Sequence, residues 1–259
     1  MGLVDRDKID LIGGNDPRTS WFPKSWDKSA FPIMHQPGTE QDNITGTAFV
    51  MYYQGVPYIV TAKHVLETEN PAIHFLLKNG QGRSFGTSYF NALGLDWIKH
   101  DTVDVAAIPF HMALQAIKPL HIFFIKEEWW NLELNIKAGN FVKHLGYPDK
   151  DTTPFPDGSS SMVGIGMVGK VLSVTSNEIR LRTSAHLGAS GGPVFVKSTT
   201  GPCLIGVASE SDVLANKSLT EGEYLGKTTV VPIKYVKELL DSDKMQKQYL
   251  NRSITEDMF

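Results

Sequence analysis

Gly188-Ala189-Ser190-Gly191-Gly192-Pro193 sets a serine inside a tight glycine turn with backbone N–H groups close around it. A serine hydroxyl is a weak nucleophile by itself. Acyl transfer needs an adjacent base to take its proton and donors to hold the oxyanion that forms. The turn therefore predicts a base and a group that orients it. Upstream, Tyr58-Ile59-Val60-Thr61-Ala62-Lys63-His64-Val65 is an apolar, strand-like run ending in a histidine. Asp101-Thr102-Val103-Asp104-Val105-Ala106-Ala107-Ile108 then places an acid before another apolar strand. The chain order is His, Asp, Ser.

Order separates this constellation from others with the same residue types. The serine turn also fits Gly-x-Ser-x-Gly, the nucleophile elbow of α/β-hydrolases, but there the histidine follows the serine. Here His186 is the last of eight histidines, so connectivity excludes the elbow. An Asp, His, Ser order would need an acid at a strand end before His64. The early acids Asp27 and Asp42 lie instead in polar, turn-like sequence.

The segments Thr61-Ala62-Lys63-His64, Asp104-Val105-Ala106 and Gly188-Ala189-Ser190-Gly191-Gly192-Pro193 resemble the three signature blocks of the trypsin-like serine peptidases of the chymotrypsin fold. The resemblance runs over roughly residues 40 to 240. It implies an all-β chain of two six-stranded antiparallel β-barrels with a C-terminal helix, and a site in the cleft between them. In character it is similar to the bacterial Deg-type and glutamyl-endopeptidase-like branch, since disulfides are absent and Ala189 precedes the serine; no PDZ domain is expected. It further implies Ser190 as nucleophile, His64 as general base and Asp104 as the acid that holds the imidazole in its working tautomer. Asp101 is a rival for that last role. Asp104 is preferred because it directly precedes the apolar run, whereas Asp101 lies in the polar approach beside His100. The oxyanion donors would be the backbone N–H groups of Gly188 and Ser190.

Substrate-side residues follow from the same resemblance. Ser184, six before the nucleophile, and the strand Ser209-Glu210-Ser211 would shape the pocket for the residue before the cut, with His186 nearby. Ser184 carries no charge, so uncharged side chains are expected there. In the digestive relatives the residue before the nucleophile is an aspartate that pairs with a freed N-terminal amine. Ala189 offers no charge for such a pair, so competence without a new N-terminus is expected, alone or through a regulatory protein partner or loop ordering. Two other readings remain: a protease-fold binding module without activity, and an esterase using the same triad.

Composition narrows the classes. The 259 residues are 41% apolar and 20% charged, enough for a sizeable core, and the formal net charge of −3 offers no basic field for nucleic acid. No run is long enough to cross a bilayer, and charges occupy the place of a signal peptide's apolar core. Arg6 stands where an N-terminal acylation motif needs Ser or Thr. Cys203 is the sole cysteine, so no intramolecular disulfide can form and a cytoplasmic setting is expected. The Asn-x-Ser/Thr triplets at Asn43, Asn216 and Asn251 then read as chance matches. His35, His74, His100, His111, His121, His144 and His186 show no metal-ligand spacing, so neither metal nor cofactor is expected.

Along the chain, the spacing predicts an N-terminal arm over residues 1–40, a first lobe over 41–125 and a crossing segment to about 138 that includes Trp129-Trp130. A second lobe follows over 139–231, then a helix and tail over 232–259. Phe49 to Tyr53 and Tyr58 to Ala62 read as a hairpin about Gln54-Gly55-Val56-Pro57. Further strands are expected at 72–77, 84–90, 103–108, 140–146, 162–174, 178–183, 193–196, 204–208 and 228–231, with a surface loop over 146–161. Ile233, Val236, Leu239 and Leu240 fall on one helical face behind Pro232. Beyond them the polar tail is expected to fray.

Overall fold

The computed structural model describes residues 21–35, 43–68, 70–76, 82–110, 120, 122–130, 132, 134–147, 152–154, 160–162, 164–184, 188–199, 201–212 and 225–248. The first lobe contains β1 (Ala30–His35), β2 (Asn43–Tyr53), β3 (Val56–Thr61), β4 (Pro71–Leu76), β5 (Gly82–Gly86), helix α1 (Thr87–Ala92), β6 (Ile98–Lys99) and β7 (Ala106–Pro109). Its sheet is antiparallel and seven-stranded, in the order β5-β4-β1-β2-β3-β7-β6. The second lobe contains β8 (Phe141–Gly146), a small ribbon of β9 (Thr152–Pro154) and β10 (Ser160–Met162), then β11 (Ile165–Val174), β12 (Ile179–Ser184), β13 (Pro193–Ser198), β14 (Gly201–Asp212) and β15 (Leu225–Pro232). Helix α2 (Ile233–Leu240) follows. Here β11-β12-β15-β14-β13-β8 close into a six-stranded barrel. Of the two closed six-stranded barrels expected, closure is shown for the second lobe, and among the described residues the first lobe's strands form the seven-stranded antiparallel sheet. That sheet is edged by the two-residue β6 and by β5, whose chain turns into α1 instead of pairing onward.

Strand alternation explains how two lobes make one body. On β2 and β3, Ala48, Val50 and Ile59 enter the first lobe's core, whereas Phe49, Met51, Tyr58 and Val60 point the other way into a core shared between lobes. β14 and β15 repeat the device: Ile205 and Val230 fill the barrel, and Leu204 and Val231 face the shared core. Both faces of these strands are buried, so they read as unbroken apolar runs. α2 packs against β14 and β7 and adds Ile233, Val236, Leu239 and Leu240 to the shared core.

Local chemistry sets the remaining boundaries. Gln54 and Gly55 carry φ values of 50° and 80°, the paired positive angles of a two-residue hairpin turn. The strand expected over Ser84 to Phe90 instead ends at Gly86, and α1 follows, stopped by Gly94 at φ 68°. Residues 30–35, placed by sequence in an N-terminal arm, form β1 between β2 and β4. Phe22 and Trp26 are buried in the shared core. The crossing segment touches both lobes, since Ile125 exchanges hydrogen bonds with β2 and Trp130 bridges to Leu204. Past α2, the tail does not fray at once: residues 243–248 are helical, Met245 is fully buried and Gln248 Nε2 donates to the Asp96 carbonyl at 3.1 Å.

Candidate active site

His64 lies in a 3₁₀ turn (Lys63–Glu67) that begins just past the end of β3, anchored by buried Val65 and Leu66. Asp104 precedes β7, the strand that pairs with β3, so sheet register brings the acid beside the imidazole. His64 Nδ1 donates to Asp104 Oδ2 at 2.7 Å, and the His64 backbone N–H donates to Oδ1 at 2.9 Å. The rival acid is turned away, with Asp101 86% exposed and 3.7 Å from Lys244 Nζ. His100 shapes the same loop, because its Nδ1 accepts from the backbone N–H groups of Thr102 at 3.2 Å and Val103 at 3.4 Å.

A second-lobe hydroxyl completes the acid's shell. Ser209 Oγ, on β14, donates to Asp104 Oδ2 at 2.5 Å. Sequence reasoning placed Ser209 in the substrate pocket; the structure turns its hydroxyl to the acid. Burial works against the Asp104 charge, but the bonds from the His64 ring, Ser209 and the His64 N–H outweigh it and hold the carboxyl down at about 2. The bond to Asp104 raises His64 above its ordinary 6.5 against some burial, and the charges of Asp104, Glu67 and Glu210 add to the rise. Glu210 is exposed on β14. For Ser184 and Ser211 the backbone is described, paired with Leu225 and Thr228. His186 lies outside the described residues.

The serine turn is built from backbone. Gly188 and Gly191 have φ of 88° and 87°, angles that favour glycine. A Cβ at Gly191 would collide with Thr47 O and Thr61 Oγ1 and lie 2.9 Å from Ala62 N, which puts the turn at the foot of the His64 segment. A Cβ at Gly192 would collide with the Leu145 carbonyl. Three successive carbonyls are each clamped. Gly188 O accepts from Thr47 Oγ1 at 2.8 Å, Ala189 O from His144 Nε2 at 3.0 Å, and Ser190 O from Thr47 N at 2.7 Å. Thr47 also accepts from the Tyr147 N–H at 3.0 Å, so one threonine ties the lobes together. Thr47 and His144 were missed as site residues. A threonine inside β2 carries no local mark of the distant carbonyl it binds.

Among the described residues, the Gly188 and Ser190 N–H groups have no hydrogen-bond acceptor, and Ser190 Oγ and His64 Nε2 have no partner. These four groups remain available to a ligand. Among the described residues there is also no cluster of His, Cys, Asp or Glu able to hold a metal ion.

A closed barrel and a second antiparallel sheet, with a His-Asp pair and a glycine-bound serine where they meet, define a protein of the chymotrypsin-like fold. A family model described as a trypsin-like peptidase domain matches residues 46–207, more than half of the chain, and the chain belongs to that family. Among solved structures, it is similar to the active form of the Rv3671c protease from M. tuberculosis, at 17% identity and a TM-score of 0.50 over 91% of this chain and 86% of that one. It is also similar to human heparin binding protein, at 12% identity and a TM-score of 0.54 over 85% of this chain and 92% of that one. No curated protein matches it.

Proposed function

We propose that this chain is a serine endopeptidase acting on protein substrates, with Ser190 as nucleophile, His64 as general base and Asp104 as the orienting acid. The observation that carries the reading is the docking of the Ser190 turn on Thr47, Thr61 and Ala62, at the root of the His64–Asp104 pair. Ser190 Oγ adds to the scissile carbonyl carbon while His64 Nε2 takes the hydroxyl proton. The carbonyl oxygen, now negative, is met by the unbonded N–H groups of Gly188 and Ser190. His64 returns the proton to the leaving amine, and water, activated by the same imidazole, releases the acyl group. Unliganded enzymes often leave the serine–histidine bond long until substrate arrives, in keeping with the unbonded Ser190 hydroxyl here.

Cys203, buried and the sole cysteine of the sequence, suits a reducing, cytoplasmic setting, and no described helix is long and apolar enough to cross a membrane. Ala189, wholly buried and uncharged, favours the Deg-type and glutamyl-endopeptidase-like character and competence without a freed N-terminal amine. Uncharged Ser184 favours uncharged residues before the cut, so a peptide library cleaved strictly after Lys or Arg would refute that specificity. The test of the main reading is labelling by a fluorophosphonate probe. Wild-type protein should react and Ser190→Ala should not; comparing peptide with ester turnover then separates a peptidase from an esterase.

A further inference from the structure

His144 is 1% exposed, on β8 behind the serine turn, and its Nε2 lies 3.0 Å from the Ala189 carbonyl. A carbonyl only accepts, so Nε2 carries the proton. Gly192 N donates to the same carbonyl at 3.2 Å. The site is tight at Gly192, where a Cβ would sit 2.9 Å from His144 Nε2 and 3.1 Å from Ala189 O.

Peptide planarity gives this contact its consequence. The Ala189 carbonyl and the Ser190 N–H belong to one trans peptide and point in opposite directions. Holding the carbonyl inward aims the Ser190 N–H outward. Were the peptide to flip, the Ser190 N–H would meet the His144 Nε2–H, two donors face to face in a buried site. Thr47 restrains the peptides on either side through Gly188 O and Ser190 O. His144 is the side chain that restrains the middle one.

Resting on the reading of Ser190 as nucleophile and oxyanion donor, we propose that His144 is a positioning residue for the oxyanion hole, its hydrogen bond to the Ala189 carbonyl doing what a buried charge beside the nucleophile would do if Ala189 were acidic. His144→Leu should lower kcat about 10²-fold, the effect of losing one oxyanion donor, with KM within about threefold of wild type. Affinity for a peptide aldehyde, whose hemiacetal oxygen occupies the oxyanion position, should fall in parallel. His144→Gln, whose amide N–H reaches to a similar depth, should recover at least about tenfold of the lost kcat. If His144→Leu does not fold, the glutamine variant decides alone: kcat within about tenfold of wild type supports the proposal, and a folded variant with kcat down 10²-fold or more overturns it. A leucine variant with kcat and aldehyde affinity near wild type, or a glutamine variant no better than leucine, also overturns it. The two failures are distinguishable. A wild type that cleaves no peptide refutes the peptidase reading, whereas a crystal structure of His144→Leu tests the positioning role without substrate. An Ala189 carbonyl turned toward the cleft supports that role, and one still facing inward refutes it.

Discussion

The two halves of the site are held by different physics. The His64–Asp104 half is made of side chains, 45% and 26% exposed, joined by charge-assisted hydrogen bonds. The Gly188–Gly192 half is made of backbone, with three clamped carbonyls and two glycines pressed against neighbouring chain. One half titrates and the other is steric. Substitutions should therefore separate them: loss of a reacting side chain should change activity far more than stability, whereas bulk added to the glycine turn should lower both together.

The largest effect tests whether the halves form one machine. Ser190→Ala and His64→Ala should each reduce peptide hydrolysis about 10⁴-fold or more, and the double variant little further, because such residues act as a unit. Melting temperatures should stay close to wild type. Additive losses in the double variant would mean that the two residues do not act on one bond.

Gly192→Ala probes the steric half. Its new Cβ meets the Leu145 carbonyl, a backbone atom that cannot turn aside. Overpacking of this kind costs about 1–3 kcal/mol, and the displaced turn should take turnover down with it. A denaturant melt read beside kcat checks the coupling; a stable, inactive variant or a destabilised, fully active one would break the comparison.

Ser209→Ala probes the side-chain half more gently. It removes a hydroxyl donor from a charged carboxylate, a bond worth about 1.5–3 kcal/mol. The Asp104 carboxyl should titrate higher than about 2, and kcat should fall roughly tenfold as the imidazole loses part of its restraint. Stability near neutral pH, where a held-down carboxyl contributes in full, should fall by no more than that bond's worth, read by the same melt.

The smallest expected effect is in pH dependence. In the proposed role of general base His64 must be neutral, and it is raised above 6.5, so kcat/KM should fall as pH drops through a midpoint above 6.5. Asp104, held at about 2, stays charged across that range and does not set the midpoint. Glu210→Gln removes one of the charges that raise His64 and should move the midpoint down by a fraction of a unit. An upward shift would contradict the field inferred at His64.

Legibility followed local chemistry. The hairpin about Gln54 and Gly55 showed because a two-residue turn writes its angles into residue choice. β3, β7, β13 and β14 showed as apolar runs because both faces are buried. α1 was mistaken for strand because Tyr89 and Phe90 favour either state, and only Gly94, several residues on, marks a helix end. The small polar Ser209 could not announce its target, since a hydroxyl on a strand fits a pocket or a carboxylate equally well.

By itself the sequence determined the all-β class, the His, Asp, Ser order and the need for glycine around Ser190, because these rest on periodicity, connectivity and backbone angles within a few residues. Tertiary structure alone decided that Asp104 and not Asp101 reaches His64, that the first lobe's strands form a seven-stranded sheet, and that Thr47 and His144 hold the serine turn. Each of these is a contact between segments distant along the chain. A threonine or histidine carries the same side chain whether or not a carbonyl faces it, and only folding brings the two together.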